Sequence, residues 1–296
     1  MRRPPPGLVL LFSLLGISVA APLVRLSDAH PVAIAAWRLG FSLIVVAVAL
    51  AATGGWQQFR TLSRRGVAIA LGAGVLLALH FWSWNSSVGL TTVAASVVLV
   101  SLQPAIVAAA SAFWLRERPG ARQSAGIGVA IVGAVVVALP DLLASGTTTS
   151  GSRALLGDAL ALVGALTAAL YYVCGRRLRR TLDLWPYVGL VYGACFVTLV
   201  AIAGALQVPM LAQPPRELAI FAGLAIGPML IGHTGMNWAL KYLPAYVVNL
   251  TVLGEPVGAT LLAAVLPGIG ELPSLATLFG GALILVGALA TVGREP

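Results

Sequence analysis

Charged side chains are scarce in this sequence of 296 residues. Only 9% of the residues are Asp, Glu, Lys or Arg, whereas 59% are hydrophobic. A soluble domain carries about 25% charged residues. A chain this apolar lacks the polar side chains to cover a surface that faces water, so its composition predicts that most of it is surrounded by lipid.

Lysine and cysteine are also rare. The scarcity of lysine argues against a nucleic-acid-binding protein, and the scarcity of cysteine argues against a disulfide-rich one. The net charge is +9, yet Lys241 is the only lysine and no basic segment is interleaved with aromatic residues. That pattern argues against a nucleic-acid-binding protein. The two cysteines, Cys174 and Cys195, lie inside apolar runs and are expected to pack as small hydrophobic residues, not to form a disulfide framework.

Motifs of several enzyme classes are missing as well. The sequence contains no G-x-x-x-x-G-K-[ST] loop, which excludes ATP hydrolysis by this chain, and no H-E-x-x-H zinc motif. The LLGD stretch at 155–158 lacks the glycine of an intramembrane aspartyl protease, and no second buried aspartate accompanies it. We therefore expect no catalytic residue, no cofactor and no metal site.

What the sequence has instead is a series of long apolar runs, bounded by Arg, Pro, Gly and Ser clusters. Runs of about 20 apolar residues can cross a bilayer as helices, the only open element that satisfies its own backbone there. The predicted fold is all-α and integral to the membrane, with ten spans. They are 7–26, 31–52, 66–86, 92–114, 121–140, 155–175, 186–206, 217–239, 245–266 and 274–292.

The basic residues predict how these spans are oriented. With a cytoplasmic N-terminus, fourteen of them lie in cytoplasmic segments and three outside, while Arg38 lies within a span. Such a bias is strong by the positive-inside rule. The first span resembles a signal peptide, but removing it would destroy this agreement. We expect it to be retained, with both termini cytoplasmic and the chain in the inner membrane if the host is bacterial.

The sequence also repeats itself. Sliding it by 152 residues aligns 101–113, SLQPAIVAAASAF, with 253–265, LGEPVGATLLAAV. The aligned pairs are Asn85 with Asn237, Gln103 with Glu255, Pro104 with Pro256 and, after two inserted residues, Glu117 with Glu271, Gly126 with Gly280, and Gly133 with Gly287. Each half, 1–147 and 148–296, holds five spans. Because five is odd, the second copy would be inverted, which in transporters places the substrate site near the bilayer midplane.

These features resemble the EamA-type transporters of the drug/metabolite transporter superfamily. The resemblance lies in the five-plus-five spans, the proline in the fourth span of each repeat and the glycine-rich fifth span. It implies a secondary carrier, and many such proteins export amino acids and related metabolites. The chain departs from strict symmetry where the first repeat has Gln103 and the second has Glu255.

Ionisable residues inside lipid are costly and are therefore candidates for function. By helical rise, Glu255 and Gln103 lie ~15 and ~17 Å from the ends of their spans, near the midplane. Glu255 is suited to taking up a proton, pairing with Arg38 or holding a cationic ligand, and equally to pinning two helices together. Pro256 is expected to free the carbonyl of Val252. Arg38 either snorkels outward, the commoner fate, or stays inside to bind a carboxylate.

The third span places His80 and Trp84 on one face, with Asn85 beside them. The corresponding segment of the second repeat, in the eighth span, places His233 and Asn237 on one face. We predict these five residues, with Gln103, Glu255 and Arg38, to bind substrate, the two asparagines acting as site or gate residues. An interfacial aromatic belt is the alternative for Trp84 and the preferred interpretation for Trp82, Tyr171 and Tyr172.

The sequence thus predicts an alternating-access exporter of small neutral or aromatic amino acids and related metabolites. The alternative substrate is an amphipathic, cationic drug. A nucleotide sugar is disfavoured because only Arg38 is available as a cation. The expected partners are a small molecule, the lipid bilayer and, if transport is coupled, a proton.

Overall fold

The computed structural model describes residues 4–114, 120–144, 149–270, 272 and 275–292, and these form helices joined by short connections, with no strand among them. The helices are α1 (Pro6–Ser18 and Ala20–Arg25), α2 (Pro31–Thr53), α3 (Arg64–Leu90), α4 (Val93–Val100 and Gln103–Trp114), α5 (Ala121–Ala144), α6 (Thr149–Leu178), α7 (Leu184–Ala205), α8 (Pro215–Leu224, a π-helical stretch Ala225–His233, and Thr234–Ala239), α9 (Ala245–Leu250, a 3₁₀ stretch Thr251–Gly254, and Glu255–Val265) and α10 (Leu275–Val292).

The prediction of an all-helical fold is confirmed for the described residues, and each predicted span falls on one of these helices. Seven of the helices are long and apolar enough to cross a membrane, and a shorter apolar helix covers Val93–Ala108. Glu117, Glu271 and the expected boundary between residues 147 and 148 lie outside the described residues.

Local sequence signals explain several of the helix ends. The side chains of His30, Ser63 and Thr92 each accept a hydrogen bond from a backbone N–H in the first turn of α2, α3 and α4. Such caps satisfy one of the four free amides at a helix start. At the other end of α2, Gly54 has φ 63°, the left-handed conformation in which glycine commonly ends a helix.

Two helices are interrupted at repeat-related positions. In α4 a turn at 101–102 precedes Gln103–Pro104, and in α9 a 3₁₀ stretch precedes Glu255–Pro256. Proline lacks an N–H and disturbs the turn before it, as predicted for Pro256. The expected free carbonyl is not found, however, because the Glu255 N–H donates to the Val252 carbonyl in the tighter 3₁₀ pattern.

Glycines let α1 lie directly against the π-helical stretch of α8. A Cβ on Gly16 would be 2.7 Å from the Gly227 carbonyl oxygen and 3.0 Å from the Gly232 nitrogen. A Cβ on Gly235 would be 2.3 Å from Ser13 Oγ. Small residues permit this close approach of membrane helices. The contact brings α1 beside the distorted part of α8.

Polar side chains join the connection between α1 and α2 to the start of α8. Glu217 accepts hydrogen bonds from the Ser27 hydroxyl and from the Asp28 N–H, the latter at 3.2 Å. Arg216 forms ion pairs with Asp28 at 2.8 Å and Glu217 at 3.1 Å. We call this group, with Ser27, the Asp28 cluster. Glu217 is buried, so the group ties together two segments far apart in sequence at one end of the bundle.

At the opposite end of α2, Asp183 links three connections. Its carboxylate forms an ion pair with Lys241 at 2.8 Å and accepts from the Gln58 amide at 2.7 Å. These contacts with Lys241 and Gln58 lower the pKa of Asp183. Their stabilisation is therefore present above the pKa of an unfolded aspartate and is lost as pH falls through the lower folded value. The Asp183 side chain is 60% exposed, so the effect is small.

We expect Gly16→Ala to lower the thermal stability of the protein in detergent, because the added Cβ meets backbone atoms of α8 that cannot move aside alone. Overpacking of this kind costs about 1–3 kcal/mol. Gly7→Ala, on the same helix, is the matched control, since a Cβ there meets nothing within 4 Å. Equal melting temperatures for the two variants would contradict this account of α1.

We expect the loss of one carboxylate to lower stability more in the Asp28 cluster than at Asp183. Glu217→Gln leaves a buried site that loses hydrogen bonds to a charged group, each worth about 1.5–3 kcal/mol. Asp183→Asn removes a mostly exposed ion pair, worth at most about 1 kcal/mol. Thermal unfolding at pH 7 should show the larger loss for Glu217→Gln, and the reverse order would show that the Asp28 cluster is not structural.

Candidate functional site

A central cavity lies where the interrupted helices meet. Among the residues that line it are six predicted from the sequence, Arg38, His80, Trp84, Gln103, His233 and Glu255. They come from α2, α3, α4, α8 and α9. The wall also includes Ile17 and Ala20 of α1 and Pro228 of the π-helical stretch, so the glycine contact between α1 and α8 helps to shape it.

The cavity is small in this conformation. Its volume is about 30 Å³. That is room for one or two water molecules, whereas ligand pockets commonly measure about 300–1,000 Å³. An amino acid can therefore enter only if the helices around the cavity move apart.

Arg38 is completely buried, so it does not snorkel as long cations usually do. Its guanidinium carbon lies 4.1 Å from the centre of the Phe81 ring, and Nη2 lies 3.8 Å from the sulfur of Met229. Its Nε and Nη1 atoms have no hydrogen-bond partner. A cation over an aromatic face gains about 2 kcal/mol when desolvated, less than the cost of burying it.

Gln103 and Glu255 begin the second halves of α4 and α9. Both side chains are buried and both line the cavity, as expected from their repeat-related positions. The Gln103 Oε1 atom has no hydrogen-bond partner. Glu255 and Arg38 both face the cavity but do not form an ion pair with each other.

Aromatic rings form one wall of the cavity. His80 and Trp84 are stacked with centroids 6.2 Å apart, and Phe81 meets His233 edge-on at 5.3 Å. The His80 Nδ1 atom lies 3.0 Å from the Gly164 carbonyl oxygen. Because a carbonyl only accepts, Nδ1 carries a hydrogen, which leaves Nε2 of a neutral ring as an acceptor. Trp84 Nε1 has no partner.

Tyr171 and Tyr172 were expected in an interfacial belt, and this prediction is wrong. Both are fully enclosed by other helices, with at most 1% of each exposed. Tyr172 lines the cavity, and its hydroxyl lies 3.4 Å from His233 Nδ1 and 3.3 Å from Met236 Sδ. The prediction rested on the position of these tyrosines near the end of their span. A tyrosine at that depth can face another helix as well as lipid, so the position alone does not identify a belt residue.

Asn85 and Asn237 are buried but do not line the cavity. Asn85 donates to the Pro31 carbonyl at 3.1 Å, and Asn237 donates to the hydroxyls of Tyr171 and Tyr192. Each asparagine thus ties its helix to neighbouring helices. Cross-helix hydrogen bonding is a common role of polar residues in membrane proteins. Their role as site or gate residues stays a prediction.

Sequence reasoning passed over Phe81, Tyr172 and Met236 on the cavity wall. Phe81 follows His80 directly in the third span, but nothing in the sequence shows that Arg38 packs on its ring. Met236 lies between His233 and Asn237 in sequence. Its position between two predicted site residues is the only sequence feature that could have indicated that it lines the cavity.

A larger space of about 330 Å³ lies on the side of the bundle between α2 and α7. Its lining is entirely apolar and includes Trp37, Phe41 and Phe196. The Trp37 indole N–H is already used, donating to the Met210 carbonyl at 2.8 Å. Ligand sites need a few convergent polar groups to orient the ligand, and this groove supplies none. The central cavity is therefore the candidate site.

The comparisons with known proteins agree with this architecture. A solved crystal structure is similar over 97% of this chain and 96% of its own, with a TM-score of 0.71 and 22% identity, which shows the fold alone. No protein of curated function matches the chain. The sequence profile of the EamA-like transporter family matches twice, over residues 7–139 and 155–293. The two matches confirm the internal repeat, and with the apolar helices they show a multi-pass membrane protein that belongs to the EamA-like transporter family.

Proposed function

We propose that this chain is a secondary transporter that exports small neutral or aromatic amino acids and related metabolites across the inner membrane by alternating access. The observation that carries the proposal is the central cavity, which combines Arg38, Glu255 and aromatic rings at the point where α4, α8 and α9 depart from regular helix. Irregular backbone inside a membrane is tolerated where it lines such a cavity.

The small free volume supports alternating access in particular. A cavity of this size admits water but not an amino acid, so binding and release of an amino acid would require the helices around it to rearrange. The Asp28 cluster and the contacts of Asp183 lie at opposite ends of the bundle, where such rearrangement would separate the connecting segments.

The arrangement in the membrane is part of the proposal. We infer ten spans in two inverted five-helix repeats, 1–147 and 148–296, with both termini in the cytoplasm. The distribution of arginines supports this orientation, and the repeat-related interruptions before Gln103 and Glu255 support the symmetry. A proton is the proposed coupling partner if Glu255 titrates during transport.

The second candidate is export of amphipathic cations by the same fold. Its support is a carboxylate, Glu255, in a cavity with the rings of Phe81 and Trp84. Cations bind well to such aromatic faces. Arg38 in the same cavity opposes a ligand that carries only positive charge, so the amino acid is preferred.

Counterflow in proteoliposomes tests the transporter and its substrate together. Vesicles loaded with one unlabelled amino acid should take up the same labelled amino acid in a saturable way, faster than protein-free vesicles. Exchange of cationic drugs but of no amino acid would favour the second candidate. Conductance without saturation, or no flux of any solute, would contradict a carrier. Repeating the uptake with a pH gradient tests proton coupling.

Two tryptophans on α3 allow a matched test of the cavity. Trp84 lines it, whereas Trp82 is only partly buried and does not. We expect Trp84→Leu to weaken exchange of phenylalanine about 2- to 12-fold, since an aromatic pair contributes about 0.5–1.5 kcal/mol. Trp82→Leu should leave it nearly unchanged, with both rates normalised to folded protein. Equal losses would place the aromatic contact elsewhere.

A further inference from the structure

We propose that Arg38 and Glu255 recognise the two charges of one zwitterion: Arg38 binds the α-carboxylate, and Glu255 with Gln103 binds the α-ammonium group. This inference rests on the proposed function and assigns the polar head of the substrate to particular side chains. It is drawn from groups in the cavity wall that lack partners within the protein.

Arg38 needs an anion that the protein does not provide. Its side chain is fully buried, its Nε and Nη1 atoms have no partner, and it is not in an ion pair. A buried charge without a partner is strongly unfavourable, so such a guanidinium is expected where a ligand supplies the missing carboxylate. The Trp84 Nε1 donor, also buried and unpartnered, lines the same cavity and offers a further hydrogen bond to an anion.

The hydrogen-bond acceptors for the ammonium group are Glu255 and Gln103, which occupy repeat-related positions. Glu255 is buried on the cavity wall and forms no ion pair, and the Gln103 Oε1 atom is buried without a partner. A primary ammonium group has three N–H donors and no acceptor, so a carboxylate and an amide oxygen together match it. Glu255 adds the negative charge that an ammonium requires, and Gln103 adds a neutral acceptor.

The separation of Arg38 from Glu255 is essential to this inference. Two opposite charges that met directly would satisfy each other and leave nothing for a ligand. Here both face one cavity without forming an ion pair, so a molecule that carries both charges can satisfy both groups. The other titratable groups on this wall are His80, His233 and Tyr172, all neutral in their ordinary forms, so the pair determines the charge that is recognised.

The pair also specifies what is rejected. A ligand with only an ammonium group leaves Arg38 unpaired and is repelled by it, whereas a ligand with only a carboxylate leaves Glu255 unpaired. Truncating one partner of a buried charge pair costs about 2–5 kcal/mol, equivalent to about 30- to 4,000-fold in affinity. A zwitterion is the class that avoids both penalties.

Three compounds with the same phenyl group test this directly: phenylalanine, phenethylamine and 3-phenylpropionate. Each is used to inhibit counterflow of labelled phenylalanine in proteoliposomes containing the full-length protein. We expect wild type to prefer phenylalanine over both analogues by at least about 30-fold. Equal inhibition by phenethylamine would overturn the zwitterion site and favour cation export, while the carrier itself would stand.

The variants Arg38→Gln and Glu255→Gln provide the stronger test, because they should change the preferred charge in opposite directions. Arg38→Gln should bind phenethylamine relatively better, and Glu255→Gln should bind 3-phenylpropionate relatively better, each by at least about tenfold against phenylalanine. A merely structural role would weaken all three ligands alike, and that result would overturn the proposal.

Folding and background binding are controlled separately. Binding to purified variants, followed by tryptophan fluorescence in detergent, measures the same preferences if a variant no longer transports. Asp183→Asn removes a carboxylate outside the cavity and should keep the wild-type order of ligands. If wild type exchanges no compound of any charge, the proposed function fails as well, which distinguishes that failure from an incorrect zwitterion site.

Discussion

A backbone amide or carbonyl inside hydrocarbon must find its hydrogen-bond partner within the protein, and this constraint governs the architecture of the chain. Regular helix satisfies it without help from neighbouring segments, so long apolar helices make up most of the described residues. Departures from regular helix are then expected where other helices or a cavity can supply the missing partners. The turn at 101–102, the π-helical stretch Ala225–His233 and the 3₁₀ stretch Thr251–Gly254 all occur in helices that line the central cavity.

Close packing determines where these departures can occur. α1 approaches the π-helical stretch at Gly16, where the backbone of α8 leaves no room for a Cβ. Similarly, a Cβ on Gly287 of α10 would be 2.5 Å from the Gly126 carbonyl oxygen of α5. Attraction between membrane helices comes largely from such van der Waals contact, since lipid provides no hydrophobic driving force. Glycine therefore serves assembly in this chain, while the buried ionisable residues Arg38, His80, His233 and Glu255 line the cavity.

The sequence predicted the helices well because apolar length and charged boundaries are local properties. It also placed Gln103 and Glu255 near the cavity, since each precedes a proline at a repeat-related position. Asn85 and Asn237 show what such reasoning leaves open. A polar side chain in an apolar helix signals that it needs a partner, but not whether that partner is a ligand or the Pro31 carbonyl. Tyr172 shows the same ambiguity for amphipathic rings, because lipid headgroups and a buried histidine both suit a hydroxyl.

Arg38 and Glu255 belong to different repeats, and this connects the proposed binding of a zwitterion to the proposed rearrangement of the repeats. Arg38 belongs to the part of the chain covered by the first family match, and Glu255 to the part covered by the second. A ligand shifts a conformational equilibrium only through a difference in its contacts with the two states. A zwitterion held by both residues would be bound best when the repeats bring them to the right separation, and so would favour that arrangement of the repeats. Two charges on one repeat would hold the same ligand equally well in every arrangement, and its binding would do nothing to move the protein.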